Sequence, residues 1–249
     1  MALKLTWSAR RQLLYYAVGL VICAVLLIVF YNLFLTTSPT CFDGKQNQNE
    51  RGVDCGGVCS LVCTQDTHNL VVLWSRSFLV APGYYTAAAY VHNDNVTAGA
   101  RAVQYSFQLF DDKNSLVIER DGQMDVPPTQ AITVVEPSIN VGNRTVSRAL
   151  FSFITTPVWH AAAIPMLRVS NQDLAQDGSR LSATVSNDTV SNLRKVVVTA
   201  VLYDSAGVAK AASKSTVDIA PKSSQSVQFT WPLGNPQIVR AEITVLSPF

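Results

Sequence analysis

Charged residues are scarce in this chain of 249 residues, where Asp, Glu, Lys and Arg together make up 14%. Lysine and arginine form no cluster beyond residue 12, and the formal net charge is only +2. A protein that binds nucleic acid needs a basic surface along the phosphates, so we expect no nucleic-acid partner.

Catalytic motifs are also absent from the sequence. The three histidines, His68, His92 and His160, stand far apart, and no H-E-x-x-H, G-x-S-x-G or glycine-rich phosphate loop occurs. We therefore predict that the protein is not an enzyme and has no organic cofactor. An exported enzyme with an unrecognised site is the alternative.

No charged residue occurs between Arg11 and Asp43, and residues 13–35 form an apolar run that is broken only by Asn32. At 1.5 Å per residue, a helix of this length crosses a hydrocarbon core of about 30 Å. We therefore predict a transmembrane helix over residues 13–35. A cleaved signal peptide is the alternative, but its apolar region would be shorter, and no A-x-A cleavage pattern follows this run.

Basic residues lie on one side of the predicted span only. Lys4, Arg10 and Arg11 precede it, without any acidic residue among them. By the positive-inside rule, residues 1–12 form a cytoplasmic tail and the rest of the chain lies outside the cytoplasm. The sequence thus predicts a single-pass cell-membrane protein with an uncleaved signal-anchor.

Cysteine is unevenly distributed. Cys23 lies in the apolar run, and the other four are confined to a short segment beyond it: Cys41, Cys55, Cys59 and Cys63. In an oxidising compartment these four predict two disulfides, with three possible pairings. A four-thiolate zinc site is the alternative, although its usual pair of C-x-x-C motifs is not found.

The cysteine segment, residues 36–66, also concentrates oxygen ligands of the kind that calcium prefers. The candidate ligands are Asp43, Asn47, Asn49, Glu50 and Asp54. Their order differs from that of an EF-hand loop, because the glycine directly follows the first aspartate. Calcium binding is one interpretation, and Asx-turns that stabilise the loop are the other.

Residues 41–63 have the sequence C-F-D-G-K-Q-N-Q-N-E-R-G-V-D-C-G-G-V-C-S-L-V-C. They resemble the C-x-D-G-x-x-N-x-x-E-x-x-x-D-C-G-G-x-C-x-x-C segments of bacterial cell-surface proteins. The segment departs from that pattern in having three residues before its last cysteine. The resemblance implies a surface location and no particular activity.

Beyond residue 69 the chain consists of short apolar or alternating runs that are separated by turn residues, a pattern typical of antiparallel β-sandwiches. We predict strands over residues 70–74, 85–91, 102–110, 116–120, 131–135, 149–154, 166–169, 181–185, 195–203, 208–212, 226–231 and 241–246.

The strand-rich region contains an internal repeat. Residues 92–97 align with residues 186–191, residues 109–111 with residues 202–204, and Pro128 with Pro221, at offsets of 93 or 94 residues. A single offset over such a distance predicts a duplicated domain of about 90 residues, the size of an immunoglobulin-like sandwich. We place the boundary between the copies at residues 156 and 157, where Thr156-Pro157 interrupts the strand pattern.

Within each copy, residues 107–111 (F-Q-L-F-D) and 200–204 (A-V-L-Y-D) resemble the F-x-L-Y-D motif of the FxLYD domain. That domain is a small β-sandwich of bacterial and archaeal envelope proteins, so the resemblance implies a fold more than a function. Alternation along the strand also predicts that Phe107 and Leu109 belong to the core.

The sequence therefore predicts a mainly β protein. Its parts are a cytoplasmic tail (1–12), a transmembrane helix (13–35), a disulfide-rich segment (36–66) and two tandem antiparallel immunoglobulin-like β-sandwiches (67–156 and 157–249). We expect a membrane-anchored subunit of the cell envelope that binds or assembles with another protein. A passive spacer between the membrane and the outside is the alternative.

Overall fold

The computed structural model describes residues 7–32, 40–47, 49–128, 130–163, 167–231 and 237–247. The chain divides into two compact units, Met1–Val58 and Cys59–Phe249.

The first unit contains helix α1, Trp7–Phe30. Its 24 residues extend about 36 Å at 1.5 Å per residue, and none of its side chains is buried. Among the described residues it is the one helix that is long and apolar enough to cross a membrane. The predicted N-terminal apolar helix is therefore confirmed, although it begins earlier than residue 13 and includes Arg10 and Arg11. Residues 33–35 of the predicted span lie outside the described residues.

The second unit is built from antiparallel β-sheets, which confirms the mainly β prediction. Its strands are β1 (Val71–Ala81), β2 (Tyr84–Asn93), β3 (Ala98–Phe110), β4 (Leu116–Val126), β5 (Gln130–Asn140), β6 (Arg148–Phe153), β7 (Trp159–Ala161), β8 (Leu167–Leu174), β9 (Arg180–Asn187), β10 (Leu193–Asp204), β11 (Ala209–Ile219), β12 (Ser223–Thr230) and β13 (Ile238–Leu246).

These strands form four sheets whose order repeats along the chain. Strands β1–β2–β5 form one sheet and β4–β3–β6 another, with β7 also paired to β3. Strands β8–β9–β12 and β11–β10–β13 form the other two. Each of β8 to β13 thus has the same neighbours as the strand seven positions earlier. We call residues 71–161 the first half and residues 167–246 the second half.

Each predicted strand overlaps one of the observed strands, and most observed strands are longer because they continue through polar residues. No pattern of residues in the sequence predicts β7. This three-residue strand pairs with β3 on one side, where Ala98 lies opposite Ala161. On its other side the Ala161 amide donates to the Ser60 carbonyl and the Val62 amide donates to the Trp159 carbonyl. Contacts with two distant segments therefore stabilise β7.

Each half has its own apolar core, to which strands of both its sheets contribute. The first core includes Phe107 and Leu109, both fully buried as predicted. The second core includes Leu202 and Phe229, and Ala200 takes the place of the motif's first aromatic residue. The smaller alanine and the bulky Phe229 and Trp231 show how the two cores are filled differently on the same strand order.

A buried asparagine occupies the same position in both halves. The side-chain amide of Asn93 donates to the carbonyls of Ala98 and Pro127, 3.1 and 2.7 Å away. The amide of Asn187 donates to the carbonyls of Ser191, Ile219 and Ala220. Buried backbone carbonyls need a hydrogen-bond donor, and each asparagine side chain provides this donor at the end of β2 or β9.

A strand irregularity also repeats, at an offset of 93 residues. Ala102 and Lys195 both have left-handed backbones, with φ of 50° and 55°. The amide of Ala102 donates to the Asp125 carboxylate at 2.9 Å, and the amide of Lys195 donates to Asp218 at 2.7 Å. Equivalent carboxylates thus stabilise equivalent β-bulges, which supports the repeat in physical detail.

The motif aspartates form the β3–β4 and β10–β11 turns. The Asp111 carboxylate accepts from the amides of Lys113 and Ser115, and hydrogen bonding to Ser115 lowers its pKa. The Asp204 carboxylate accepts from the amides of Ala206 and Val208, and hydrogen bonding to Val208 lowers its pKa. Hairpin turns are present at both positions, where the amides of Asp111 and Asp204 donate to the carbonyls of Ser115 and Val208.

We expect Asn93→Ala and Asn187→Ala each to lower the free energy of unfolding by about 2–3 kcal/mol, because each leaves buried carbonyls without a donor. Urea unfolding of the full chain in detergent, followed by tryptophan fluorescence, measures this.

Asn143→Ala is the matched control. Asn143 is exposed in the turn after β5, so its replacement should change the free energy of unfolding by less than about 0.5 kcal/mol. Equal effects at all three asparagines would contradict the structural role of the buried pair.

Candidate functional site

The four cysteines beyond the helix, Cys41, Cys55, Cys59 and Cys63, are all disulfide-bonded. The predicted disulfides are therefore confirmed. Their sulfur atoms are not available as thiolates, so the alternative of a four-thiolate zinc site does not apply to this oxidised form. Cys23 is a free thiol on the exposed surface of α1.

Carboxylates of the cysteine segment accept hydrogen bonds from nearby backbone amides. Asp54 accepts from the amides of Asp43 and Gly44, at 3.0 and 2.9 Å. Glu50, which is buried, accepts from the amides of Asn47 and Asp54 at 3.2 Å each. These bonds link residues three to eleven positions apart and stabilise the loop, and both interpretations of the segment stay predictions.

Asp43 and Asn47, two of the predicted calcium ligands, contact each other directly. The Asn47 amide donates to Asp43 Oδ2 at 2.8 Å, and this bond lowers the pKa of the Asp43 carboxyl. The side-chain oxygen of Asn47, Oδ1, is buried and accepts no hydrogen bond from the described residues. Asn49 has a left-handed backbone with φ of 67°. Calcium binding by this segment stays a prediction.

The second glycine of the C-G-G-x-C sequence is required by a close backbone approach. A Cβ atom on Gly57 would lie 2.1 Å from the carbonyl oxygen of Asn49, and Gly57 also has a positive φ of 62°. By contrast, Gly44 has a φ of 70° but no atom within 4 Å of its would-be Cβ. The segment therefore tolerates a side chain at Gly44 far better than at Gly57.

A third buried cluster joins the two halves. It consists of Ala88, Val135, Val201, Tyr203, Ala209 and Ala212, with Trp74 and Phe78 packed against it. Strand β10 contributes to this cluster with Val201 and Tyr203 and to the second core with Ala200 and Leu202, so it is buried on both faces.

Polar contacts between described residues also cross the same boundary. The Tyr90 hydroxyl donates to Glu242 at 2.6 Å, the hydroxyls of Thr133 and Thr244 lie 3.2 Å apart, and Lys214 Nζ lies 3.9 Å from Glu136. Buried polar groups that are satisfied across a boundary favour one relative arrangement. The two halves are therefore joined by both apolar packing and directional bonds.

A cavity of about 290 Å³ lies along this boundary. Its walls include Tyr105, Val135, Lys195, Thr199 and Lys214, from both halves. A volume of this size is at the lower end of those that hold small ligands.

Both halves expose a valine at the loop that the buried asparagine stabilises. Val96, between β2 and β3, is 71% exposed, and Val190, between β9 and β10, is 82% exposed. In the second loop, Thr189 donates its amide and its hydroxyl to Asn187 Oδ1, at 2.9 and 2.7 Å. The two valines thus lie at equivalent, well-supported loop tips.

The histidines lie in separate structural settings. His68 donates its backbone amide to Asn95, His92 contacts Asp94 at 3.0 Å on an exposed surface, and His160 is in β7 opposite Gly99.

Sequence analysis had not identified the contact between the halves, although a signal was present. Residues 196–203 of β10 have the sequence V-V-V-T-A-V-L-Y, with no alternation of polar and apolar residues. Such a run is typical of a strand that is buried on both faces. The alanine triplet at residues 87–89 of β2 is likewise fully buried on both faces.

No protein-family profile matches this chain, and no curated protein sequence is similar to it. Among solved structures, the chain is similar to a red sea bream transglutaminase at 19% identity, with a TM-score of 0.26. The match covers 73% of this chain and 29% of the transglutaminase chain. A likeness this weak carries no argument about fold or activity.

We expect Gly57→Ala to impair formation of the native disulfides, because the new Cβ would overlap the Asn49 carbonyl. Gly44→Ala is the control, with a cost of about 1 kcal/mol from its backbone conformation alone. Reduction and reoxidation of the full chain, followed by thiol counting and peptide mapping, measures the native fraction. Equal yields for the two variants would contradict the close approach at Gly57.

The contact between the halves should weaken in alkali. Burial raises the pKa of Tyr203 to about 12, and burial with a hydrogen bond to glutamate raises the pKa values of Tyr90 and Tyr105 well above their usual range. The folded state therefore keeps protons that the unfolded state loses above its usual tyrosine pKa of 10.0. Stability is full below pH 10 and falls as pH rises toward 12.

Denaturant unfolding at pH 8, 10 and 11 measures this decline. Tyr203→Phe removes one of the groups and should reduce the slope of stability against pH. Tyr84→Phe, at an exposed tyrosine of β2, should leave the slope unchanged. If both changes alter the slope of stability against pH equally, the buried tyrosines are not the cause of the decline.

Proposed function

We propose that this chain is a membrane-anchored, non-enzymatic protein of the cell envelope. Helix α1 anchors it, residues 1–12 lie in the cytoplasm, and the chain beyond α1 lies outside. Two observations support this placement: α1 is apolar and unburied over about 36 Å, and all four cysteines beyond it are disulfide-bonded.

The two halves of the β region are tandem immunoglobulin-like sandwiches of the FxLYD kind in this proposal. The support is the repeated strand order, the repeated buried asparagine and the repeated carboxylate-stabilised bulge. The resemblance in residues 107–111 and 200–204 is consistent with it.

The protein binds another envelope protein and does more than set a distance from the membrane. The observation that carries this is the pair of equivalent loops with exposed Val96 and Val190. An exposed apolar side chain at a loop tip is removed from water when a partner covers it, which favours binding. The buried asparagines hold both loops in place beforehand, so little conformational entropy is lost on binding. Calcium at the cysteine segment would serve stability in this proposal and no chemistry.

Partner capture in cells tests the proposal. A photoreactive amino acid at position 96 or 190 of the native full chain should cross-link a reproducible set of membrane or surface proteins, identified by mass spectrometry. The double change Val96→Asp and Val190→Asp should abolish capture, because a buried carboxylate would oppose the contact.

Val239→Asp is the matched control, since Val239 is 63% exposed at the start of β13 and belongs to neither loop. Its replacement should leave capture unchanged. Recovery of the chain alone, or only with itself, would support the passive spacer. Equal capture by the loop and control variants would show that the partner binds elsewhere.

A further inference from the structure

An open cleft of about 570 Å³ lies between the two halves on the side of β1. Residues 74–78 of β1 line it consecutively, together with residues 147–149 at the start of β6 and residues 208–210 at the start of β11. The cleft is distinct from the loop tips and from the smaller cavity described above.

The charges in this cleft are of one sign. Arg76, Arg148 and Lys210 line it, and no aspartate or glutamate is among its lining residues. Lys210 has a partner in Asp204, 3.2 Å away, and the Arg148 guanidinium lies 5.0 Å from the centre of the Phe110 ring. The cleft therefore holds more positive than negative charge in a chain whose net charge is only +2.

Arg76 is the cation with the least compensation. It lies on β1 between Trp74 and Phe78, and the three side chains are on the same face of the strand because they are two residues apart. Trp74 and Phe78 pack against the third buried cluster. Within the described parts of the chain, its side chain makes neither a hydrogen bond nor an ion pair. A guanidinium that lines a cleft together with other cations, and that has no carboxylate partner, is stabilised when an anion binds.

Two strand edges meet at the cleft. Strand β1 is at the edge of the sheet β1–β2–β5, and β6 is at the edge of the sheet β4–β3–β6. The two are linked where the Ser75 hydroxyl donates to the Ala149 carbonyl at 2.8 Å. An edge strand presents backbone groups that an additional extended chain can pair with.

We propose that this cleft binds an extended acidic segment of a partner protein, which adds alongside β1 and places its carboxylates on Arg76 and Arg148. Backbone pairing supplies the extended shape, and the arginines select acidic side chains through charge-assisted, bidentate hydrogen bonds. This inference rests on the proposed role in protein binding and assigns it a second contact, separate from the loop tips.

Fluorescence anisotropy with the full chain in nanodiscs tests the inference. The probe is a labelled eight-residue peptide of alternating Glu and Thr, and the matched control peptide has Gln in place of Glu. We expect saturable binding of the Glu peptide. The affinity should be at least tenfold weaker for the Gln peptide and for a Glu peptide that is N-methylated at alternate residues.

Variants of the protein locate the site. Arg76→Gln and Arg148→Gln should each weaken binding of the Glu peptide about tenfold or more, and Arg76→Lys should restore part of it. Arg168→Gln is the control, because Arg168 is an exposed arginine on β8 that pairs with Asp188 outside the cleft. Unchanged unfolding transitions show that the variants fold.

Three outcomes would overturn the inference. The first is no saturable binding of the Glu peptide below about 1 mM. The second is that Arg168→Gln weakens binding as much as the cleft variants do. The third is that the N-methylated peptide binds as tightly as the Glu peptide and that inorganic pyrophosphate displaces it. The last result would show a simple anion site. If peptide binding fails while photo-cross-linking at positions 96 and 190 persists, the proposed function stands and only the cleft assignment falls.

Discussion

The burial of β10 on both faces is the constraint on which the rest of the β structure depends. One face fills the second core with Ala200 and Leu202, and the other packs Val201 and Tyr203 against the first half. A strand in this position cannot move relative to either neighbour without exposing apolar surface to water. Surfaces along the boundary therefore contain residues of both halves in a fixed arrangement.

Buried polar groups add direction to this packing. Asn93 and Asn187 satisfy loop carbonyls inside each half, while Tyr90 and Glu242 join across the boundary. Because an unsatisfied buried polar group is costly, each of these bonds favours a single arrangement. Arg76 is different, because its side chain is exposed to solvent and lines the cleft in which we propose that a partner's carboxylate binds.

The described residues offer three different chemistries. The cysteine segment is cross-linked and uses its carboxylates to accept backbone amides, as Asp54 does. The loop tips are apolar, and the cleft beside β1 is basic. These three chemistries support the proposed role of a protein that is anchored in a membrane and contacts other proteins.

Elements whose signals are local could be predicted from the sequence. The uncharged apolar run predicted α1, the confined cysteines predicted the disulfides, and short alternating runs predicted all strands except β7. Repeated landmarks such as Asn93 and Asn187 also predicted that two stretches of chain would have the same strand order.

Only the tertiary structure decided which strand faces meet. Strand β7 is three residues long and depends on β3 and residues 60–62, so no local pattern could indicate it. The cleft likewise combines Arg76, Arg148 and Lys210 from strands that are distant in sequence. The physical reason is that hydrophobic periodicity specifies whether a face is buried, whereas the identity of the opposite surface depends on packing between remote segments.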